Sequence, residues 1–219
     1  MMSRWWPRAA LFVGAFALFR LACAAAPDAV VLSIACGGCH GTLGVSAGLA
    51  MPSLAGQPKE YFVRSMKAFR SGERPSTVMG RLATAYSDAQ IDAMAGFYER
   101  MRPGRPTAKP DAARLEQGRL VFYKRCRYCH LDRGPLWREI HRSREYDNQC
   151  RHCHAEYGSA GREPTPFIAG QWATYLAMQL DAFRSGARRM SADKARSIKA
   201  LSDADAEAVA QFYASQRLE

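Results

Sequence analysis

Cys36-Gly37-Gly38-Cys39-His40, followed by Gly41, decides the reading of this chain. The same spacing returns as Cys126-Arg127-Tyr128-Cys129-His130 and as Cys150-Arg151-His152-Cys153-His154, so six of the seven cysteines fall in this pattern. One helical turn presents two thiols side by side with an imidazole directly behind them. That is the arrangement that attaches haem c, the thiols bonding the porphyrin vinyl groups and the histidine serving as proximal iron ligand. Disulfides are the rival use of cysteine in an oxidising compartment. A Cys36–Cys39 bridge would close a short, uninformative loop, however, and leave the adjacent histidines unexplained.

The N-terminus points to such a compartment. Arg4 and Arg8 form a positive n-region, Ala9 to Phe19 an apolar stretch, and Ala22 to Ala26 a small-residue cleavage zone, which predicts a signal peptide over 1–26 and a periplasmic location. The apolar stretch is too short to span a bilayer, and Arg20 interrupts it. Leu21-Ala22-Cys23 faintly resembles a lipoprotein signal, but Arg20 stands where such signals want an aliphatic residue, so Cys23 is read as part of the discarded leader. No other apolar run reaches spanning length, and no membrane span is expected.

The formal charge of +11 is misleading by itself. Without Arg4, Arg8 and Arg20 the chain has 28 basic and 20 acidic residues, a net +8. Three haems would bring six propionates and leave about +2. No nucleic-acid motif accompanies the basic bias, so nucleic acid is excluded as a partner. Some arginines are expected to pair with propionates, and the others to steer docking to acidic redox partners.

An internal repeat sets the architecture. Leu54-Ala55-Gly56-Gln57 recurs as Ile168-Ala169-Gly170-Gln171, Tyr61 matches Tyr175, and Ala68-Phe69-Arg70-Ser71-Gly72 recurs unchanged as Ala182-Phe183-Arg184-Ser185-Gly186. The offset of 114 also maps Cys36, Cys39 and His40 onto Cys150, Cys153 and His154. After one inserted residue, Ser87-Asp88 matches Ser202-Asp203 and Phe97-Tyr98 matches Phe212-Tyr213. Two copies of one haem domain follow, 27–103 and 111–219, with a linker in which Pro103, Pro106 and Pro110 exclude continuous helix.

Within each copy the periodicity is helical. Glu60 to Phe69 reads as a helix with Tyr61, Met66 and Phe69 inward, ended by Gly72. Ser87 with Gln90 makes a capping box for a helix to about Met101, with Ile91, Met94, Phe97 and Tyr98 inward. Ser202 caps the matching helix to about Gln216. A further helix precedes each haem site, short before Cys36 and longer from about Ala112 to Cys126. No strand pattern appears, and the fold reads as all-α.

These features together resemble the dihaem class I cytochromes c of the c-four type, with a close likeness to the cytochrome subunit of flavocytochrome c sulfide dehydrogenase. The residues that carry the resemblance are Cys36-Gly37-Gly38-Cys39-His40-Gly41, Pro52-Ser53-Leu54-Ala55-Gly56-Gln57, Phe69-Arg70-Ser71-Gly72, Ala169-Gly170-Gln171-Trp172 and Leu201-Ser202-Asp203-Ala204-Asp205. It runs from about Val31 to the C-terminus, except between His130 and Gln149. It implies tandem class I cytochrome c domains, periplasmic electron transfer, and one haem per domain held between a histidine and a methionine.

Met79 is the candidate sixth ligand of the first haem. It sits in the stretch after Pro75 and before the Ser87 helix, where the family delivers its methionine. A thioether favours ferrous iron and raises the potential; the bland alternative is a core-filling methionine. In the second copy, Met79 projects onto Asp193 or Lys194, neither a usual ligand. Met190, a few residues earlier, is the candidate there, with Met178, His141 or an open position as alternatives.

The segment from Cys126 to His130 is a second departure. His154 lies 16 residues before Gly170, as His40 lies 16 before Gly56, so the downstream register belongs to the third pentapeptide. An insertion over about 127–149, bringing an extra Cys126, Cys129 and His130, accounts for this. The direct expectation is three haems rather than two, with His141 or His152 as possible distal ligand of the extra one. The rival is a four-cysteine zinc ribbon of Cys126, Cys129, Cys150 and Cys153.

The functional expectation is a multihaem electron-transfer protein, either a shuttle serving a terminal oxidase or the cytochrome subunit of a sulfide-oxidising flavoprotein. The competing class is a haem enzyme with an open or labile iron position, acting on a small sulfur compound or peroxide.

Overall fold

The computed structural model describes residues 28–104, 107–122, 124 and 165–216, and every regular element among them is helical. The leader, the insertion, Cys126, Cys129, His130, His141, Cys150, His152, Cys153 and His154 lie outside the described residues. No helix among the described residues is long and apolar enough to cross a membrane.

Four helices build the first lobe: α1 (Ala29–His40), α2 (Lys59–Arg70), α3 (Met79–Ala83) and α4 (Asp88–Glu99). Their limits follow from local chemistry. The Asp28 carboxylate accepts from the Val30 and Val31 amides and starts α1, satisfying donors that have no intrahelical partner. Gly41, at φ 80°, ends it, and a Cβ at that position would stand 1.9 Å from the Val45 carbonyl oxygen, so only glycine lets the chain turn back there. Ser87 and Gln90 form the expected reciprocal capping box at α4. Gly72, at φ 78°, follows α2 as the sequence predicts.

The second lobe contains α5 (Ala112–Val121), α6 (Ala173–Arg184), α7 (Ala192–Ile198) and α8 (Asp203–Ser215). Asp111 caps α5 and Ser202 caps α8 through side-chain oxygens.

In the first lobe α4 packs on α1 and α2, around Phe62, Met66, Ile91, Met94 and Tyr98. In the second, α8 packs on α5 and α6, around Val121, Phe122, Leu176, Val209, Phe212 and Tyr213. Each such large apolar side chain contributes about 1.5–3 kcal/mol when fully buried. The duplication is visible in the backbone. The Gly56 amide donates to the Tyr98 carbonyl at 2.8 Å, and the Gly170 amide to the Tyr213 carbonyl at 2.9 Å.

One expectation needs adjusting. On α2 the buried residues are Phe62 and Met66, not Tyr61. Phe62, Met66 and Phe69 follow the i, i+4, i+7 rhythm of one helix face, and the Tyr61 ring, about 100° away, takes its hydroxyl to polar partners between the lobes. Met79, which the sequence places after Pro75 and before the Ser87 helix, opens the short helix α3 there.

Candidate haem site and the seam between the lobes

The last turn of α1 carries Cys36, Cys39 and His40. His40 is 7% exposed, and its Nδ1 lies 2.8 Å from the Pro52 carbonyl oxygen. A carbonyl can only accept, so Nδ1 carries the proton and Nε2 keeps its lone pair, the form and tautomer a metal ligand needs. Burial holds the imidazole below its ordinary pKa, with the Pro52 bond opposing, so the ring is neutral at pH 7.

Cys36 and Met79 each pack against the first lobe's core, while Cys39 is exposed. Burial pushes the Cys36 thiol up, partly offset by its hydrogen bond with Tyr98. That is the reverse of a redox-active Cys-x-x-Cys pair, which needs a depressed thiol. Tyr98 is itself held by donating to the Ser33 carbonyl at 3.1 Å. On the segments just after His40 and around Met79, Leu43, Val45, Leu49, Met51, Val78 and Leu82 are exposed large apolar side chains. Two free thiols, a neutral histidine and a thioether, bordered by apolar side chains, fit a covalently bound haem.

The second lobe holds less of its expected site among the described residues. Met190 is half-buried and lies two residues before α7. The positions onto which Met79 projects, Asp193 and Lys194, fall inside α7, where the Lys194 ammonium stands 3.7 Å from the Phe183 ring centroid. Met178 is exposed on α6.

Between the lobes lies a seam with near twofold symmetry. Gln57 Nε2 donates to the Phe167 carbonyl at 2.7 Å, and the Phe167 amide donates to Gln57 Oε1 at 3.1 Å. Reciprocally, Gln171 Nε2 donates to the Ser53 carbonyl at 3.0 Å, and the Ser53 amide donates to Gln171 Oε1 at 2.7 Å. Both glutamines are buried, at 7% and 5% exposure. Each side-chain amide therefore pairs with a backbone amide of the other copy, as a strand partner would. Trp172 Nε1 adds a bond to the Ser46 carbonyl at 3.1 Å.

At another part of the seam two arginines meet. Arg74 Nη2 donates to the Tyr175 hydroxyl at 2.9 Å and to Gln179 Oε1 at 3.1 Å. Arg188, its equivalent, donates to the same Gln179 oxygen at 2.5 Å and to the Tyr61 hydroxyl at 3.4 Å. Each guanidinium stacks 4.4 Å from its own Phe, Arg74 on Phe69 and Arg188 on Phe183. Burial works against ionising Tyr61, yet Arg74 and Arg188 pull its phenol below the ordinary range, while burial and Tyr61 push Tyr175 up. Among the described residues neither arginine has a carboxylate partner. The glutamines and tyrosines stand out in the sequence as repeat matches, but nothing in it says that they face one another.

The architecture defines a class: two class I cytochrome c folds in tandem, with a Cys-x-x-Cys-His turn on α1. Comparison with known proteins is more specific. The family model for cytochrome c oxidase, cbb3-type, subunit III matches residues 141–212. The thiosulfate dehydrogenase electron acceptor of Thiomonas intermedia is 31% identical over 206 residues, covering 89% of this chain and 83% of that protein. The cytochrome subunit of sulfide dehydrogenase from Chlorobaculum tepidum is 41% identical over 68 residues, covering 31% of this chain and 61% of that protein. The crystal structure of reduced cytochrome c4 from Pseudomonas stutzeri superposes with a TM-score of 0.65 at 25% identity, covering 88% of this chain and 99% of that one. The chain belongs to the family of dihaem cytochromes c of the cytochrome c4 type. It is an electron-transfer cytochrome that carries covalently bound haem c.

Proposed function

We propose that the chain is a periplasmic trihaem cytochrome that takes electrons from a dehydrogenase oxidising a small sulfur compound and passes them to a terminal acceptor. The near-full-length likeness to a thiosulfate dehydrogenase electron acceptor is the observation that carries it. The local likeness to a sulfide dehydrogenase subunit points to the same donor class.

Haem c, when bound, supplies one-electron exchange at its iron. Around the first, Cys36 and Cys39 would form the thioether links, and His40 and Met79 would be the iron ligands. Cys150, Cys153 and His154, with Met190, hold the second-domain haem, and Cys126, Cys129 and His130 hold the extra one. Arg74 and Arg188, two cations in a half-buried seam with no carboxylate partner among the described residues, fit the haem propionates, since guanidiniums so placed are costly unless an anion compensates them.

The test mixes the oxidised cytochrome with a catalytic amount of a purified thiosulfate dehydrogenase or sulfide-oxidising flavoprotein, plus that enzyme's substrate. The account expects haem reduction at enzyme-limited rates, slower as salt rises because the mature chain has a basic excess. Failure with both donors, alongside ready reduction by a chemical reductant, would refute the assigned donor class. A second reading, a haem enzyme with a labile second-domain iron, is favoured by the displacement of Met190 from the register of Met79. Carbon monoxide binding to the reduced protein under non-denaturing conditions would support it.

A further inference from the structure

Resting on the reading of His40 as proximal ligand, we propose that Gln171 is a positioning residue for the first haem. It acts from the opposite lobe through a single peptide unit. The Pro52 carbonyl and the Ser53 amide are the two ends of one peptide group. The carbonyl accepts from His40 Nδ1 at 2.8 Å, and the amide donates to Gln171 Oε1 at 2.7 Å. Amide resonance joins these ends: withdrawing the N–H proton toward an acceptor raises the negative charge on the carbonyl oxygen. A stronger acceptor at Pro52 draws the His40 Nδ1 proton further. The ring then becomes a more basic ligand at Nε2, and a more basic proximal ligand favours ferric iron and lowers the reduction potential.

The geometry is well anchored. Gln171 is 5% exposed. Its Nε2 is fixed by the Ser53 carbonyl at 3.0 Å and its backbone carbonyl by Thr107 Oγ1 at 2.9 Å. Among the described residues the one other donor to Oε1 is the Trp172 amide, at 3.4 Å, a far weaker bond. The docked state of the second lobe is thereby communicated to the proximal ligand of the first, without contact between Gln171 and that ligand. The seam also contains its own control. Gln57 makes an equal pair of bonds across the seam, to Phe167, but does not touch the Pro52–Ser53 peptide.

The experiment uses the fully haem-loaded protein and near-isosteric variants, Gln171→Met and Gln57→Met. The first-haem potential is read by NMR-monitored redox titration, together with the Nδ1 proton shift of His40 in the reduced state. Gln171→Met is expected to raise the reduced-to-oxidised ratio of the first haem about twofold to threefold at fixed potential. At 59 mV per decade for a one-electron couple this is at most about 30 mV, and the His40 Nδ1 proton should move upfield. Gln57→Met should leave both readings near wild type. Equal shifts from Gln171→Met and Gln57→Met would mean general loosening of the seam and would overturn the proposal. So would an unmoved potential in a variant that keeps its low-spin spectrum. A His40 ring without haem-shifted signals in wild type would remove the ligand reading itself, and the proposal with it.

Discussion

Gly118 is where α5 and α8 cross, and replacing it by alanine places a methyl group in space already occupied. A Cβ there would stand 2.4 Å from the Ala208 carbonyl oxygen, 2.6 Å from Phe212 Cβ and 3.0 Å from the Ala208 carbonyl carbon. Ordinary contact begins near 3.4 Å, so the helices must separate by roughly 1 Å. These neighbours are backbone and Cβ atoms of a helix, which cannot rotate aside. Separation also strains the Phe122–Phe212 and Phe122–Tyr213 ring pairs, now 5.4 and 5.7 Å apart. Alanine gains about 1 kcal/mol of helix propensity over glycine, whereas overpacking costs about 1–3 kcal/mol or more, and loosened aromatic pairs add about 0.5–1.5 kcal/mol. The net expectation is a destabilisation of about 1–3 kcal/mol, a fall in the second-lobe Tm of roughly 5–20 °C. Gly96, on α4, is the comparison: a Cβ there meets only the flexible tip of Arg100 at 3.4 Å, so Gly96→Ala should be neutral or stabilising by up to about 1 kcal/mol. Calorimetry and Soret-monitored melting of the two variants would decide. A Gly118→Ala chain that melts at or above wild type would refute the reasoning about the crossing.

Met79→Ala should convert the first haem to a high-spin or differently ligated form and lower its potential, while unchanged spectra and potential would rule out Met79 as ligand. Asp88 is held below the usual carboxylate range by Lys67 first and then Arg70, at 2.7 and 2.6 Å. A depressed carboxyl stabilises the fold above its unfolded pKa and loses that effect as pH falls through the folded one. Asp88→Asn should therefore lower Tm slightly at pH 7, with the difference vanishing in acid and shrinking in high salt; a difference that persists in acid would contradict this. Cys126→Ala with Cys129→Ala should remove one covalent haem per chain and leave the first-haem spectrum intact, whereas a zinc ribbon would respond by losing metal with no loss of haem from this segment.

Much of the helical framework can be read before any coordinates are seen. The Ser87–Gln90 box, the Ser202 cap and the glycine after α2 act within a few residues of themselves, so local chemistry is enough to place them. The duplication is legible because its motifs keep a constant offset. The orientation of α2 was less so: Tyr61 and Phe62 are both aromatic, and only the partners waiting in the seam decide which one turns inward. The glutamine–peptide pairs are harder still. Each joins a side chain to a backbone amide more than a hundred positions away, and no periodicity encodes such a meeting. The proposed second-domain ligand is harder to place for another reason, since the positions that match Met79, Asp193 and Lys194, lie within α7 and Met190 precedes that helix.

The central claim is that this chain is a multihaem electron carrier, and haem stoichiometry tests it most directly. Protein exported to a periplasm with intact haem attachment should be examined by intact-mass spectrometry after denaturation and by pyridine haemochrome assay. The account expects the mature polypeptide plus three haems, all of haem c type and all reversibly reducible. A gain of two haems would remove the assignment at Cys126, Cys129 and His130 and leave a dihaem carrier. A chain without covalent haem would contradict the account altogether.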